Sequence, residues 1–201
     1  MTLRLILAVL DSLKTHLRQF GFPLILVAVT TLIQLTRLND LLDFDRGAIQ
    51  TGAWWLLLTG HLCHLSWQHF LLNNAALLII WELFYRQYSI IKAGLEFGFL
   101  SVAVGLGIYI FNPNVEWYVG LSGVLHGMFV IGIAPELINK NKLSLLVAAG
   151  VIGKIAWEQT VGLTTGVLFA EDSVLVDAHL YGTFGGLFVA IAYFCFTRLK
   201  H

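Results

Sequence analysis

Charge is what this sequence has least of. Only 12% of its 201 residues are Asp, Glu, Lys or Arg, against about 25% in soluble domains. Hydrophobic residues make up 58%, and mean hydropathy is +0.80. So few charges cannot cover a water-facing surface, which excludes an ordinary soluble domain. Net charge is zero and no basic stripe is present, so nucleic acid is excluded as a partner. There are two cysteines, Cys63 and Cys195, expected on opposite membrane faces, which argues against an internal disulfide. The first residues are not expected to be a secretory leader. The run "LILAVL" is too short for one, and Asp11, Lys14 and Arg18 follow it. Period-two alternation is absent, which excludes a closed barrel. No repeat or low-complexity tract interrupts the chain, and its length fits one membrane domain.

Long apolar runs are abundant. A membrane-crossing helix needs roughly 20 mostly apolar residues at about 1.5 Å rise each. Six segments qualify as expected spans: 22–38, 67–85, 94–111, 119–138, 143–160 and 174–197. Before them, Leu3, Ile6, Leu7, Leu10, Leu13, Leu17 and Phe20 recur at helical spacing. Residues 1–21 are therefore expected to form an amphipathic helix lying at the interface, ahead of a six-helix domain over 22–201. With the N-terminus inside, nine basic residues fall in cytoplasmic segments (Arg4, Lys14, Arg18, Arg86, Lys92, Lys140, Lys142, Arg198 and Lys200) and only Arg37 and Arg46 in outer loops. The bias predicts that both termini are cytoplasmic. The loop from Asn39 to Ser66 is long and partly apolar, and is expected to rest in the interface.

The uncommon polar residues gather at one depth. Expected spans two, four and six run from outside to inside. Their first turns carry His69 and Asn73, Ser122 and His126, and Asp177 and His179. Ionisable residues within a membrane are costly and mark functional sites. Gly123 and Gly127 on span four, and Gly182 and Gly186 on span six, are G-x-x-x-G pairs that permit close helix contact. If those faces meet, Ser122 and His179 come within hydrogen-bond reach, as a nucleophile and its base require. The Ser122 amide, in a first turn, and the His69 and Asn73 side chains are candidate donors to an oxyanion. No obvious carboxylate supplies a third member, since Asp177 points to another face and is expected to cap its helix.

Other readings stay open at this level. His126 lies one turn after Ser122, so it is either an aromatic wall stacked on His179 or the base itself. His61, His64 and His69 form an H-x-x-H-x4-H run that a metalloenzyme could use, although no carboxylate or cysteine cluster completes a closed site. Lys154 and Glu158, with Trp157 between, are either a self-neutralising pair snorkelling outward or a gate that touches a substrate entering sideways.

Three blocks resemble the rhomboid intramembrane serine proteases. "HLSWQHFLLNN" is similar to the family's H-x4-H-x3-N block, "GLSGVLHG" to its G-x-S-G block, and "DAHLYGTFGG" to its A-H-x-x-G block. They occur in family order. The resemblance implies an all-α bundle of six transmembrane helices, with Ser122 as nucleophile, His179 as base and His69 and Asn73 at the oxyanion. It implies His64 as a bracing histidine and requires neither metal nor cofactor. Many rhomboids carry tyrosine where this chain has His126. The short length, with "KIAWEQ" and "VDAHLYG", is most similar to the rhombosortase subgroup. That implies a bacterial inner-membrane enzyme, its site facing the periplasm. Its substrates would be transmembrane or glycine-rich C-terminal sorting-tail segments of exported proteins. A non-catalytic rhomboid-like protein that only binds helices is the remaining alternative.

Overall fold

A computed structural model describes residues 2–161 and 175–199. In chain order the helices are α1 (Thr2–Thr36), α2 (Asn39–Leu42), α3 (Arg46–Gln50), α4 (Leu56–Thr59), α5 (Trp67–Phe84), α6 (Ile90–Phe111), α7 (Ser122–Ile138), α8 (Lys142–Val161) and α9 (Asp177–Leu199). Two-residue strands, β1 (Phe44–Asp45) and β2 (Trp117–Tyr118), pair antiparallel. Everything else of regular structure among the described residues is helical, as expected of an all-α membrane protein.

Among the described residues three helices are long and apolar enough to cross a membrane: residues 19–36 of α1 (mean hydropathy 1.6), α6 (1.8) and α9 (1.6). A fourth, α7, is apolar but has 17 residues. The helices α5 and α8 fall short because of what they carry: His69, Asn73 and Asn74 in one, Lys154 and Glu158 in the other. The polar residues that lower their hydropathy are those that build the site described below.

The boundary expected at residue 21 coincides with no break. The helix α1 runs through it and contains Pro23. Proline has no N–H for the carbonyl four residues back. The Trp81 indole fills that gap by donating to the Gln19 carbonyl at 2.6 Å. Trp81 is itself buried, stacked between Phe22 and Tyr88 at 5.5 and 5.3 Å. At the other end, Arg37 adopts a left-handed φ of 56° and stops the helix.

The loop from Asn39 to Ser66 is folded onto the bundle. Its tryptophans Trp54 and Trp55 are exposed, but Phe44, Ile49, Leu56 and Leu57 pack with Val104 and Ile108 of α6 and Ala178 of α9. Arg46 drives this arrangement. Its buried guanidinium donates to the carbonyls of Val115, Tyr109, Ile108 and Asn112 at 2.8 to 3.1 Å. The guanidinium thereby ties the C-terminal end of α6 to the loop that follows it. Asp45 caps α3 by accepting from the Ala48 amide, and Asp43 accepts from the Trp117 indole. Cys63 and Cys195 are both free.

The core of the bundle is the seam between α7 and α9. The four glycines expected at a helix contact are all there. A Cβ on Gly123 would lie 2.7 Å from the Ala178 carbonyl, and one on Gly127 2.7 Å from the Gly182 carbonyl. Only glycine lets two helix backbones come this close, and such proximity is how membrane helices associate without a hydrophobic driving force.

Candidate active site

The seam brings together the groups that the sequence places far apart. Ser122 is the first residue of α7, so its N–H has no acceptor within the helix. Its Oγ lies 2.9 Å from Nε2 of His179, which is the third residue of α9. The glycine contacts set this distance, because they fix both helices at the level of Ser122.

His179 is buried between two partners. Its Nδ1 lies 2.9 Å from Oε2 of Glu158 on α8. A carboxylate accepts only, so Nδ1 carries the proton and Nε2 is left with a lone pair facing the serine hydroxyl. The chain therefore holds a Ser–His–Glu series, which overturns the expectation that no carboxylate completes one. The sequence signal was present. Glu158 lies near the C-terminal end of α8, and through His179 it is level with Ser122 at the start of α7.

His126 is stacked on His179, with ring centroids 4.2 Å apart and planes 21° from parallel. Its Nδ1 is 2.8 Å from the Ser122 carbonyl, and its Nε2 is 3.3 Å from the Lys154 ammonium. A carbonyl only accepts and an ammonium only donates. Those two neighbours make His126 a neutral ring with its proton on Nδ1, and neither nitrogen faces the hydroxyl of Ser122. This is the geometry of a wall rather than of a base.

The trio expected at a lateral gate divides. Trp157 is 64% exposed and faces outward. The side chain of Lys154 is half exposed, and its Nζ is 2.5 Å from Oε1 of Glu158. Glu158 turns inward and is 6% exposed.

His69 and Asn73 flank the serine on the other side. A cavity of about 270 Å³ holds His69 and Ser122, walled by Leu65, Trp117 and Val119. A second, of about 180 Å³, holds Asn73, Ser122 and His126, with Val151 of α8 at its edge. Ser122 thus stands where the two cavities meet. The Asn73 amide nitrogen is buried and has no partner among the described residues. An orphaned buried donor is destabilising unless something occasionally accepts from it. Gly120, just before the serine, has φ +133°, and a Cβ there would sit 2.9 Å from the His69 ring. Glycine is thus required at that position on both counts.

The three-histidine metal reading does not survive this geometry. His61 Nε2 is 2.9 Å from the Ser101 carbonyl and its Nδ1 3.2 Å from the Gly120 carbonyl. Both nitrogens thus face carbonyls of the chain, and a neutral ring donates to one of them. No group of three His, Cys, Asp or Glu among the described residues is arranged to hold a metal. His64 packs edge-on against His69 and Phe70, at 5.3 and 5.5 Å. Burial holds both loop rings neutral, pushing His61 down to about 4 and His64 to about 3. Asp177, expected as a helix cap, accepts from Asn112 at 2.6 Å and ties the ends of α6 and α9 together.

A family model described as Rhomboid domain matches residues 51–196. The "Putative rhomboid protease YdcA" of Bacillus subtilis is 22% identical over 142 residues, covering 71% of this chain and 68% of that protein. The matched region contains α5 to α9 up to residue 196, and with them every residue of the site just described. With that match over most of its length, the chain belongs to the rhomboid family.

Proposed function

We propose that this protein is an intramembrane serine endopeptidase, with Ser122 as nucleophile and His179 as general base. The contact between Ser122 Oγ and His179 Nε2, at 2.9 Å, carries the reading. The hydroxyl proton passes to Nε2 as Oγ bonds the scissile carbonyl carbon, and the carbonyl electron pair moves onto its oxygen. The Ser122 amide, Asn73 and His69 donate to that oxyanion. The unpartnered Asn73 amide is what a donor reserved for a transient acceptor looks like. Collapse of the intermediate breaks the C–N bond, and His179 gives its proton to the leaving amine. Water then enters by the same route, loses a proton to His179 and releases the acyl group from Ser122.

The two cavities meeting at Ser122 support a path for substrate. One opens beside His69 and the loop strands; the other runs between α5 and α8 past Asn73. A transmembrane segment reaching the serine past α8 must unwind to expose a carbonyl. Glycine-rich segments unwind readily. This favours the transmembrane and C-terminal sorting-tail substrates implied by the rhombosortase resemblance. In this reading the bundle spans a bacterial inner membrane six times with both termini cytoplasmic. The site then faces the periplasm, and lipid surrounds α8.

Fluorophosphonate labelling of the full chain in detergent or bilayer tests the reading. The native protein should label and Ser122→Ala should not, at equal expression. Asn73→Ala should label and cleave on the order of 10²-fold more slowly. A folded native chain that resists labelling would leave only the helix-binding alternative.

A further inference from the structure

Glu158 has no role in the serine–histidine reading, and its place calls for one. Lys154 and Glu158 stand one turn apart, and a pair so spaced on a lipid-facing helix can neutralise itself by turning outward together. Here only the lysine does so. Glu158 is 6% exposed, with Oε2 on His179 Nδ1 at 2.9 Å and Oε1 on Lys154 Nζ at 2.5 Å. Burying a carboxylate away from water is strongly unfavourable unless its oxygens are well partnered. Both of these are partnered, one by a donor that neutralises the charge and one by the ring that must act as base.

We propose that Glu158 is a positioning residue for His179. It is delivered by α8, holds the base in the tautomer that accepts the Ser122 proton, and offsets the charge of the imidazolium formed as it does so. The proposal rests on the serine-protease reading and extends its dyad to a triad. Lys154 sets the orientation of the carboxylate. The groups facing Glu158 are Lys154 on its own helix, His179 on α9 and, through Lys154, His126 on α7. On α8, Val151, Ile155 and Glu158 fall at i, i+4 and i+7 and form the face turned to the bundle; Ile155 and Glu158 are its buried members. Displacing α8 would therefore remove the carboxylate from the base. His179 is competent only while α8 is seated.

The bond geometry makes a prediction that packing alone does not. In Glu158→Gln the lysine still donates only, so it takes the amide oxygen. The amide NH2 is then left facing His179 Nδ1. That forces the ring proton onto Nε2, where it blocks transfer from Ser122. Removing the lysine as well, in Lys154→Met with Glu158→Gln, frees the amide to flip and present oxygen to Nδ1–H.

The measurement is the rate of fluorophosphonate labelling in the full chain, with thermal unfolding followed in the same detergent. Glu158→Gln should label on the order of 10⁴-fold more slowly, the scale seen when a triad histidine is left in the wrong tautomer. The double variant should recover at least about tenfold of that loss, one decade being the smallest change that separates a restored tautomer from scatter. Unfolding midpoints should stay within a few degrees of native. The proposal is overturned if Glu158→Gln labels at the native rate. It is equally overturned if the double variant labels no faster than Glu158→Gln, or if Glu158→Gln unfolds and the double variant does too, since the carboxylate is then structural. A native chain that never labels at Ser122 defeats the protease reading instead, whatever the Glu158 variants do.

Discussion

Two helices reach His179 from opposite sides and are held by opposite means. The seam of α7 with α9 is made by leaving side chains out, so that backbone touches backbone at Gly123, Gly127, Gly182 and Gly186. The contact of α8 is made by putting charges in. Leu143, Leu146, Ile152 and Trp157 are all exposed, and only Ile155 and Glu158 are buried among its described side chains. Backbone packing fixes a distance and tolerates little displacement. A hydrogen-bonded ion pair on a lightly packed helix can be broken and remade. The molecule therefore keeps the contact between Ser122 and His179, the proposed nucleophile and base, on the rigid seam, and takes the carboxylate that meets His179 from α8.

The comparison is broken most severely at the seam. A side chain at Gly182 would collide with the Gly123 carbonyl. Gly182→Val should separate α7 from α9 and lower Ser122 labelling by at least about 10²-fold, since a misplacement of about 1 Å is worth that much. Loss of labelling should come with a lower unfolding temperature. Native labelling in this variant would show that the seam does not set the serine–histidine distance.

Acid should weaken the α7 side next. His61 lies against the carbonyls of Ser101 and Gly120, to one of which a neutral ring donates, and burial keeps that ring neutral to about pH 4. The unfolded ring takes a proton near pH 6.5, while the folded one resists, so the unfolded chain binds more protons between those values. Stability is fully present above about 6.5 and falls as pH drops toward 4, by up to roughly 3 kcal/mol for this ring. Unfolding temperatures measured from pH 7.5 to 4 should decline over that window, and His61→Gln should flatten the decline. An unchanged profile in that variant would remove His61 as the cause.

The α8 side should respond more gently. Ile155→Ala removes its buried apolar contact. With lipid as good a solvent as protein for a methyl group, the unfolding temperature should move little. Labelling should fall only several-fold as the carboxylate loses its fixed seat. A collapse of the whole fold would show that α8 is as integral as the seam. Smallest of all, Trp157→Ala should leave labelling within about twofold of native, the usual scale for an exposed substitution. A large loss there would return Trp157 to the gate.

Much of this was readable from residues alone. The low charge and long apolar runs announced a membrane bundle, and the two G-x-x-x-G pairs announced which helices touch. Glu158 was harder. Residues 143–160 are apolar around most of the helix, so periodicity does not reveal which face turns inward, and the i, i+4 spacing to Lys154 reads equally well as a surface pair. The boundary expected at residue 21 is a different case, because α1 continues through it. A proline usually interrupts a helix, but here Trp81, some sixty residues away in sequence, supplies the missing hydrogen bond.

Sequence by itself determined the solvent, the helices and the depth at which the polar groups lie, because hydropathy and helical rise are local properties. Tertiary structure alone decided that His126 stacks on His179, that His61 faces the Ser101 and Gly120 carbonyls and that Glu158 meets Nδ1 of His179. Those roles depend on which atom of a ring meets a donor or an acceptor, and no spacing along a chain encodes that.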